Sequence, residues 1–192
     1  MRQIEKELVK YLDKKLELNG LAQYAIAQKD ARTLMVEAAK SCVGIREATN
    51  NNDGPMVKLL QETIGNANGE SWCMAFQQSM IAYAEVKTGL ISPLFASEGC
   101  TKVWENTPIA QRVKKIPLPG ALAIWHQPNS WKGHTGMVLS YGDRNFYAVE
   151  GNTTSGLSAT EEVVADGGGV YYTKRSNNGS PKMILRGFLK PF

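Results

Sequence analysis

Cysteine and histidine are scarce in this chain of 192 residues: three cysteines and two histidines. The cysteines, Cys42, Cys73 and Cys100, are odd in number and widely spaced, which excludes a disulfide framework. Without a CxxC pair, a Cys/His zinc site is not expected either, and neither is any other metal or cofactor. No run approaches the roughly 20 apolar residues that span a bilayer. The opening stretch, MRQIEKELVKYLDKKLELNG, alternates charge with aliphatics and lacks the apolar centre of a secretory signal. The expectation is a chain made in the cytoplasm without a signal peptide and carried to its target by another route.

Excess charge is also small. The net charge is +4, and hydrophobic and charged residues make up 43% and 21% of the chain, the balance of an ordinary globular domain. Residues 1–100 hold 11 Lys/Arg against 12 Asp/Glu, and residues 101–192 hold 11 against 6. This C-terminal excess suits an anionic polymer, but an ordinary solvated face explains it as well, and no nucleic-acid partner is expected. The chain is expected to act as a monomer.

The first half has helical spacing. Ile4, Leu8, Leu12 and Leu16 form a stripe that stops at Asn19-Gly20. A second helix starts at the N-cap candidate Asp30 and carries Leu34, Ala38 and Cys42 on one side, so Cys42 reads as a buried small side chain. A turn cluster, Asn50 to Pro55, precedes a helix to Ile64, with Asp53 as its expected cap and Pro55 in its first turn. A fourth helix is expected over about Trp72–Thr88. The second half has strand signals at Ala121–Trp125, His134–Tyr141, Phe146–Asn152, Val170–Thr173 and Met183–Leu189, with a long loop over Asn152–Gly169. Helices first and strands later predict an α+β fold with an antiparallel sheet.

Chemistry enters at Gly69-Glu70-Ser71-Trp72-Cys73-Met74-Ala75-Phe76. With Ser71 as N-cap, Cys73 falls in the first helical turn, where free N–H groups favour a thiolate. Taken alone, that position suits a buried small side chain equally well. A base comes from the hairpin. If Tyr141 pairs with Asn145, paired numbers sum to 286, and His134 lies opposite Asn152 with Glu150 as diagonal neighbour on the same face. A carboxylate or amide oxygen bound to one ring N–H fixes the imidazole, whose other nitrogen can serve a thiol. His126 is a rival base, but no carboxylate is placed to orient it. Trp72, Trp125 and Trp131 are candidates to line a substrate cleft. Cys100 has no recognisable partner and reads as structural.

These residues resemble a known family. The Asn-Asp-Gly-Pro loop, the helix and Gly-Glu-Ser-Trp-Cys-Met-Ala-Phe are similar to the nucleophile region of CHAP-domain cysteine amidohydrolases and peptidases. Pro119-Gly120-Ala121 with the strand after it resembles their Pro-Gly-Asp segment, with Ala121 in place of the acidic residue. Gly133-His134-Thr135-Gly136 and Val149-Glu150-Gly151-Asn152 resemble their histidine and Glu-Gly-Asn strands. The related NlpC-type peptidases have a different nucleophile motif.

The resemblance spans about residues 43–190 and implies a papain-like fold, with residues 41–192 as the catalytic domain and residues 1–40 as a helical N-terminal extension or cap. It implies Cys73 as nucleophile, His134 as general base and acid, Glu150 as orienting group and Asn152 as an aid to orientation or polarisation. The acidic calcium loop of some members is not evident. The implied activity is hydrolysis of an amide bond of bacterial peptidoglycan, at the N-acetylmuramoyl-L-alanine link or within the stem or cross-bridge, by a phage lysin or antibacterial effector. It would act at the cell wall after release or delivery. A cysteine amidase for a non-wall substrate and a catalytically inactive wall-binding module remain the alternatives.

Overall fold

A computed structural model describes residues 2–154 and 167–192 and shows an α+β protein, its main helices preceding an antiparallel sheet. The N-terminal stripe forms α1 (Gln3–Leu16), with Leu8, Leu12 and Leu16 buried. α1 stops just before Asn19-Gly20, as the sequence suggested, but a helix not anticipated begins there. Asn19 caps this helix, α2 (Gly20–Gln28), by accepting from the Ala22 N–H. Asp30 caps α3 (Ala31–Ser41) through the Thr33 N–H, and Cys42 follows as its buried C-terminal residue.

Asp53 does not cap α4 (Pro55–Ile64). Gly54, at φ 110°, takes that place, and Pro55 occupies the first helical position. Asp53 is engaged within its own loop, accepting from the Thr49 N–H at 2.8 Å and the Thr49 hydroxyl at 2.7 Å. Competition from this local turn explains the difference.

The central helix is α5 (Cys73–Thr88). Every residue from Cys73 to Ile81 is buried, as in a helix surrounded by protein. Two of its buried polar side chains reach backbone: Gln77 Nε2 donates to the Val149 carbonyl and Ser79 Oγ to that of Leu60. A short helix that the sequence reading missed, α6 (Cys100–Asn106), follows.

The strands are β1 (Arg112–Val113), β2 (Leu122–His126), β3 (Gly133–Tyr141), β4 (Asn145–Thr153), β5 (Gly169–Ser176) and β6 (Ile184–Leu189), in the order β1-β6-β2-β3-β4-β5. Only β1 lacks a counterpart among the expected strands. Alternation divides the sheet residues between two clusters. Leu122, Ile124, Met137 and Val149 join the helices, whereas Ala123, Trp125, Val138, Phe146 and Ala148 form a smaller cluster. Of the loop expected over Asn152–Gly169, residues 155–166 lie outside the described residues.

The hairpin tip differs from expectation by one residue. Tyr141 pairs with Phe146, and the Gly142 N–H donates to the Asn145 carbonyl across a longer turn. A bulge between Val138 and Ser140 then takes up the extra residue. Val138 pairs with Ala148 and Met137 with Val149, which is the expected register at the end that matters for His134.

Residues 1–40 pack into the same core as the rest of the described chain. Leu8, Leu12 and Leu16 share one buried cluster with Met80 and Leu189, and α3 runs on to Ser41. Leu12→Ala therefore lowers the stability of the whole chain by about 2–5 kcal/mol. A denaturant titration should show one cooperative transition displaced as a unit; a separate early transition for the N-terminal helices would contradict a shared core.

Candidate functional site

Cys73 is the first residue of α5. Trp72 precedes it as N-cap, in place of Ser71, and makes no capping bond through its side chain. The N–H groups of the first turn therefore have no intrahelical partner. Trp72 is fully buried, and its indole N–H donates to Glu47 Oε1 at 2.8 Å. Glu47 Oε2 in turn accepts from the Asn52 N–H, so the Asn-rich loop anchors the entry to α5. Gly151 fits the helix to the sheet: a Cβ there would come within 2.8 Å of Phe76 Cβ.

His134, at the start of β3, is wholly buried, and its Nε2 donates to Glu150 Oε2 at 2.9 Å. Gly136 makes room for that carboxylate, since a Cβ at 136 would lie 2.5 Å from Glu150 Cγ. The β3–β4 ladder runs as far as Met137↔Val149, and beyond it the two strands are joined through these side chains.

Glu150 is held from β5 as well. Arg175 Nε donates to Oε1 at 2.8 Å, Arg175 Nη2 to Oε2 at 2.6 Å, and the Thr173 hydroxyl to Oε1 at 2.6 Å. All of these side chains are buried. Arg175 and Thr173 were not among the expected site residues. The available signal was alternation: both lie on the face of β5 that meets Glu150, but Arg175 falls two residues past the strand end inferred from sequence.

The protonation states follow from these neighbours. Burial alone would raise the Glu150 pKa, but the Arg175 guanidinium and the imidazole lower it from 4.5 to about 2. Burial alone would lower the His134 pKa, yet the Cys73 thiolate and the Glu150 carboxylate raise it to about 9. The Cys73 pKa is pushed well below that of an ordinary thiol. A hydrogen bond from Cys100 is the largest cause, followed, against the cost of burial, by the imidazolium and the Met74 N–H. Both directions favour the charged forms, a Cys73 thiolate and a His134 imidazolium.

Cys100 was expected to be structural without a partner. Instead its Sγ lies 3.7 Å from Cys73 Sγ, and its own pKa is pushed well up by the Cys73 thiolate and by burial. It is the protonated member and donates. The sequence concealed this contact because it joins residues 27 positions apart through α6, a helix that was not anticipated. Cys42 is buried elsewhere, and burial raises its thiol to about 12.

The other candidates separate. Asn152 is buried with φ 54°, and its Oδ1 accepts from the Gly167 N–H. Its Nδ2 has no partner among the described residues, and it makes no hydrogen bond to His134. Among the described residues the hydrogen bond that orients the imidazole is made to Glu150 and not to Asn152. Trp125 is also fully buried, 5.8 Å from the His134 ring centroid. Trp72 and Trp125 thus form walls behind the site and do not line a cleft. Trp131 is 82% exposed and does line one. His126 ends β2 opposite Gly133 and stays outside the Cys73–His134–Glu150 array.

Cys73 opens into a cavity of about 110 Å³ bounded by Ser71, Gly99, Cys100, Trp131 and Gly133. A groove of about 520 Å³ continues from it along Glu70, Glu98, Thr101, Lys102 and Trp131. Comparison with protein-family models, with curated proteins and with solved structures gives no match.

Two outcomes follow. Peptide-mapped alkylation of native Cys73 by iodoacetamide at pH 6 should run at least ~10-fold faster than after unfolding, because only the native thiol is ionised there. It should change little with pH until His134 loses its proton near pH 9; an ordinary thiol titration would contradict the ion pair.

The second concerns the clamp. The depressed Glu150 pKa adds stability that is present above the unfolded value of 4.5 and is lost as pH falls through about 2. Arg175→Met leaves that carboxylate without its bidentate partner and should cost about 3–5 kcal/mol at neutral pH. Denaturation midpoints should show the gap between wild type and variant narrowing below pH 4.5.

Proposed function

We propose that the chain is a CHAP-type cysteine amide hydrolase on a papain-like scaffold, acting on bacterial peptidoglycan. The observation that carries this reading is the geometry: Cys73 heads α5 and lines the cavity that leads to the groove, and the His134 ring on the adjoining sheet is held by the Glu150 carboxylate. Motif order adds to it: the Cys, His and Glu-Gly-Asn segments follow one another as in that family. The bond in question is the N-acetylmuramoyl-L-alanine link or one within the stem or cross-bridge. A phage lysin or a delivered antibacterial effector fits this activity.

The chemistry follows from the resting charges. The Cys73 thiolate attacks the amide carbonyl carbon, and the uncapped first-turn N–H groups of α5 are candidate donors to the developing oxyanion. As the C–N bond breaks, the His134 imidazolium protonates the leaving amine and becomes neutral. It then accepts a proton from water, which attacks the thioester and releases the acid, regenerating the thiolate. Glu150 keeps the ring oriented through both transfers. Trp131 offers an exposed aromatic face at the groove rim for a sugar or stem.

Purified wall sacculi incubated with the protein should release amino groups, and mass spectrometry of the fragments should name the bond. Cys73→Ala should reduce release to background, and His134→Ala by about 10²–10⁴-fold. Wall binding without release by wild type or Cys73→Ala would instead indicate an inactive binding module. Thiol-dependent amide cleavage that spares walls would indicate a non-wall substrate.

A further inference from the structure

Two thiols in one small cavity exceed what amide hydrolysis requires. Cys73 Sγ and Cys100 Sγ are 3.7 Å apart, and both residues line the cavity that leads to the groove. A disulfide needs about 2.05 Å, so the sulfurs must approach by roughly 1.6 Å. Cys100 is the first residue of α6, directly after Gly99. Its Cβ already packs where a Gly133 side chain would stand, 2.9 Å from an ideal Cβ at that position.

We propose that Cys73 and Cys100 form a peroxide-reactive dithiol site, in which Cys73 is oxidised and Cys100 resolves it into a reversible disulfide. The oxidant is a hydroperoxide, of which hydrogen peroxide is the smallest. Liquid water occupies about 30 Å³ per molecule, so a cavity of about 110 Å³ admits it.

Both steps balance. The Cys73 thiolate attacks one peroxide oxygen, an S–O bond forms and the O–O bond breaks. Sulfur is oxidised to the sulfenic acid, and the departing hydroxide takes up a proton and leaves as water. The Cys100 sulfur then attacks the sulfenic sulfur, the S–S bond forms, the S–O bond breaks, and water departs with the Cys100 proton. An external dithiol reverses the product by exchange.

The two protonation states match the two roles. Sulfenic acid formation needs a thiolate, which Cys73 is; Cys100 remains protonated until its neighbour has lost negative charge. Without a resolving thiol, a sulfenic acid proceeds to sulfinic acid, which dithiols do not reduce. Cys100 therefore stands between the nucleophile and irreversible oxidation. Only the consequence, loss and recovery of hydrolysis, rests on the proposed function; the thiol chemistry does not.

The test oxidises the reduced full chain with a small excess of hydrogen peroxide, enough for two successive oxidations of one sulfur, alkylates it after unfolding and maps peptides by mass. Wild type should lose two alkylatable thiols and two hydrogen masses, carry a Cys73–Cys100 cross-link and leave Cys42 alkylatable. Dithiothreitol should restore both thiols. In Cys100→Ser and Cys100→Ala the cross-link should be absent, and Cys73 should gain two oxygens that dithiothreitol does not remove. Wild type that accumulates sulfinic Cys73 while Cys100 remains alkylatable would overturn the proposal, as would a cross-link to Cys42. Sacculus assays on the same samples separate the two readings: a protein inactive on walls that still forms the cross-link sinks only the hydrolase reading. An active one that forms none sinks only the dithiol.

Discussion

The site depends on a buried carboxylate. Glu150 has no access to water, and an isolated ionised carboxylate in such a place would take up a proton. Arg175 prevents this by binding both of its oxygens. Once Glu150 is fixed as an anion, the remaining charges follow in alternation: a positive Arg175, a negative Glu150, a positive His134 and a negative Cys73. Each member is buried, and each has opposite charge on the next. The row is neutral as a whole, so the protein need not bury a net charge to keep a thiolate ready. Removing any interior member leaves its neighbours uncompensated, which is costly in a way that removing a complete pair is not.

That row also explains how the fold is assembled around it. β5 supplies Arg175 and Thr173, β4 supplies Glu150, β3 supplies His134 and α5 supplies Cys73. No two of these four elements can shift independently without breaking a charged contact. The restraints between helix and sheet are correspondingly close. Gln77 is bonded to the carbonyl of Val149, one residue before Glu150. Gly151, one residue after it, lets Phe76 press onto the strand. The carboxylate is therefore bracketed by two contacts to the helix that carries Cys73.

Much of this was legible in the sequence because it is local or periodic. The leucine stripe of α1, the Asp30 cap and the five longer strands each rest on neighbouring residues. The His134–Glu150 pairing needed only period-two arithmetic over one hairpin. It survived a wrong turn length because a bulge beyond the tip restored the register. What could not be read was long-range. Cys100 and Arg175 reach their partners across 27 and 25 residues, through a short helix and a strand end that propensity did not mark. Local competition misled the caps: Thr49 engaged Asp53, and Trp72 replaced Ser71. Asn152 was placed on the right strand, but its left-handed backbone turns its amide to the Gly167 N–H.

The tryptophans show why composition near a site is a poor guide to what a substrate touches. Trp72 and Trp125 lie near Cys73 and His134 in sequence, yet both are walled in, one bonded to Glu47 and the other packed beside the His134 ring. Their apolar bulk contributes by excluding water from the ion pair, where a lower dielectric strengthens the charge alternation. The groove is lined instead by residues outside the regular elements or near their ends: Trp131, Glu70, Glu98 and Lys102. The chemistry is thus set in rigid strands and a buried helix, while the groove is built mostly from loops. A change in groove residues can alter which molecule enters without disturbing Arg175, Glu150, His134 or Cys73. Cys100 belongs to both parts: it lines the cavity and also donates to the thiolate, so the redox state of the cavity and the reactivity of the nucleophile cannot vary separately.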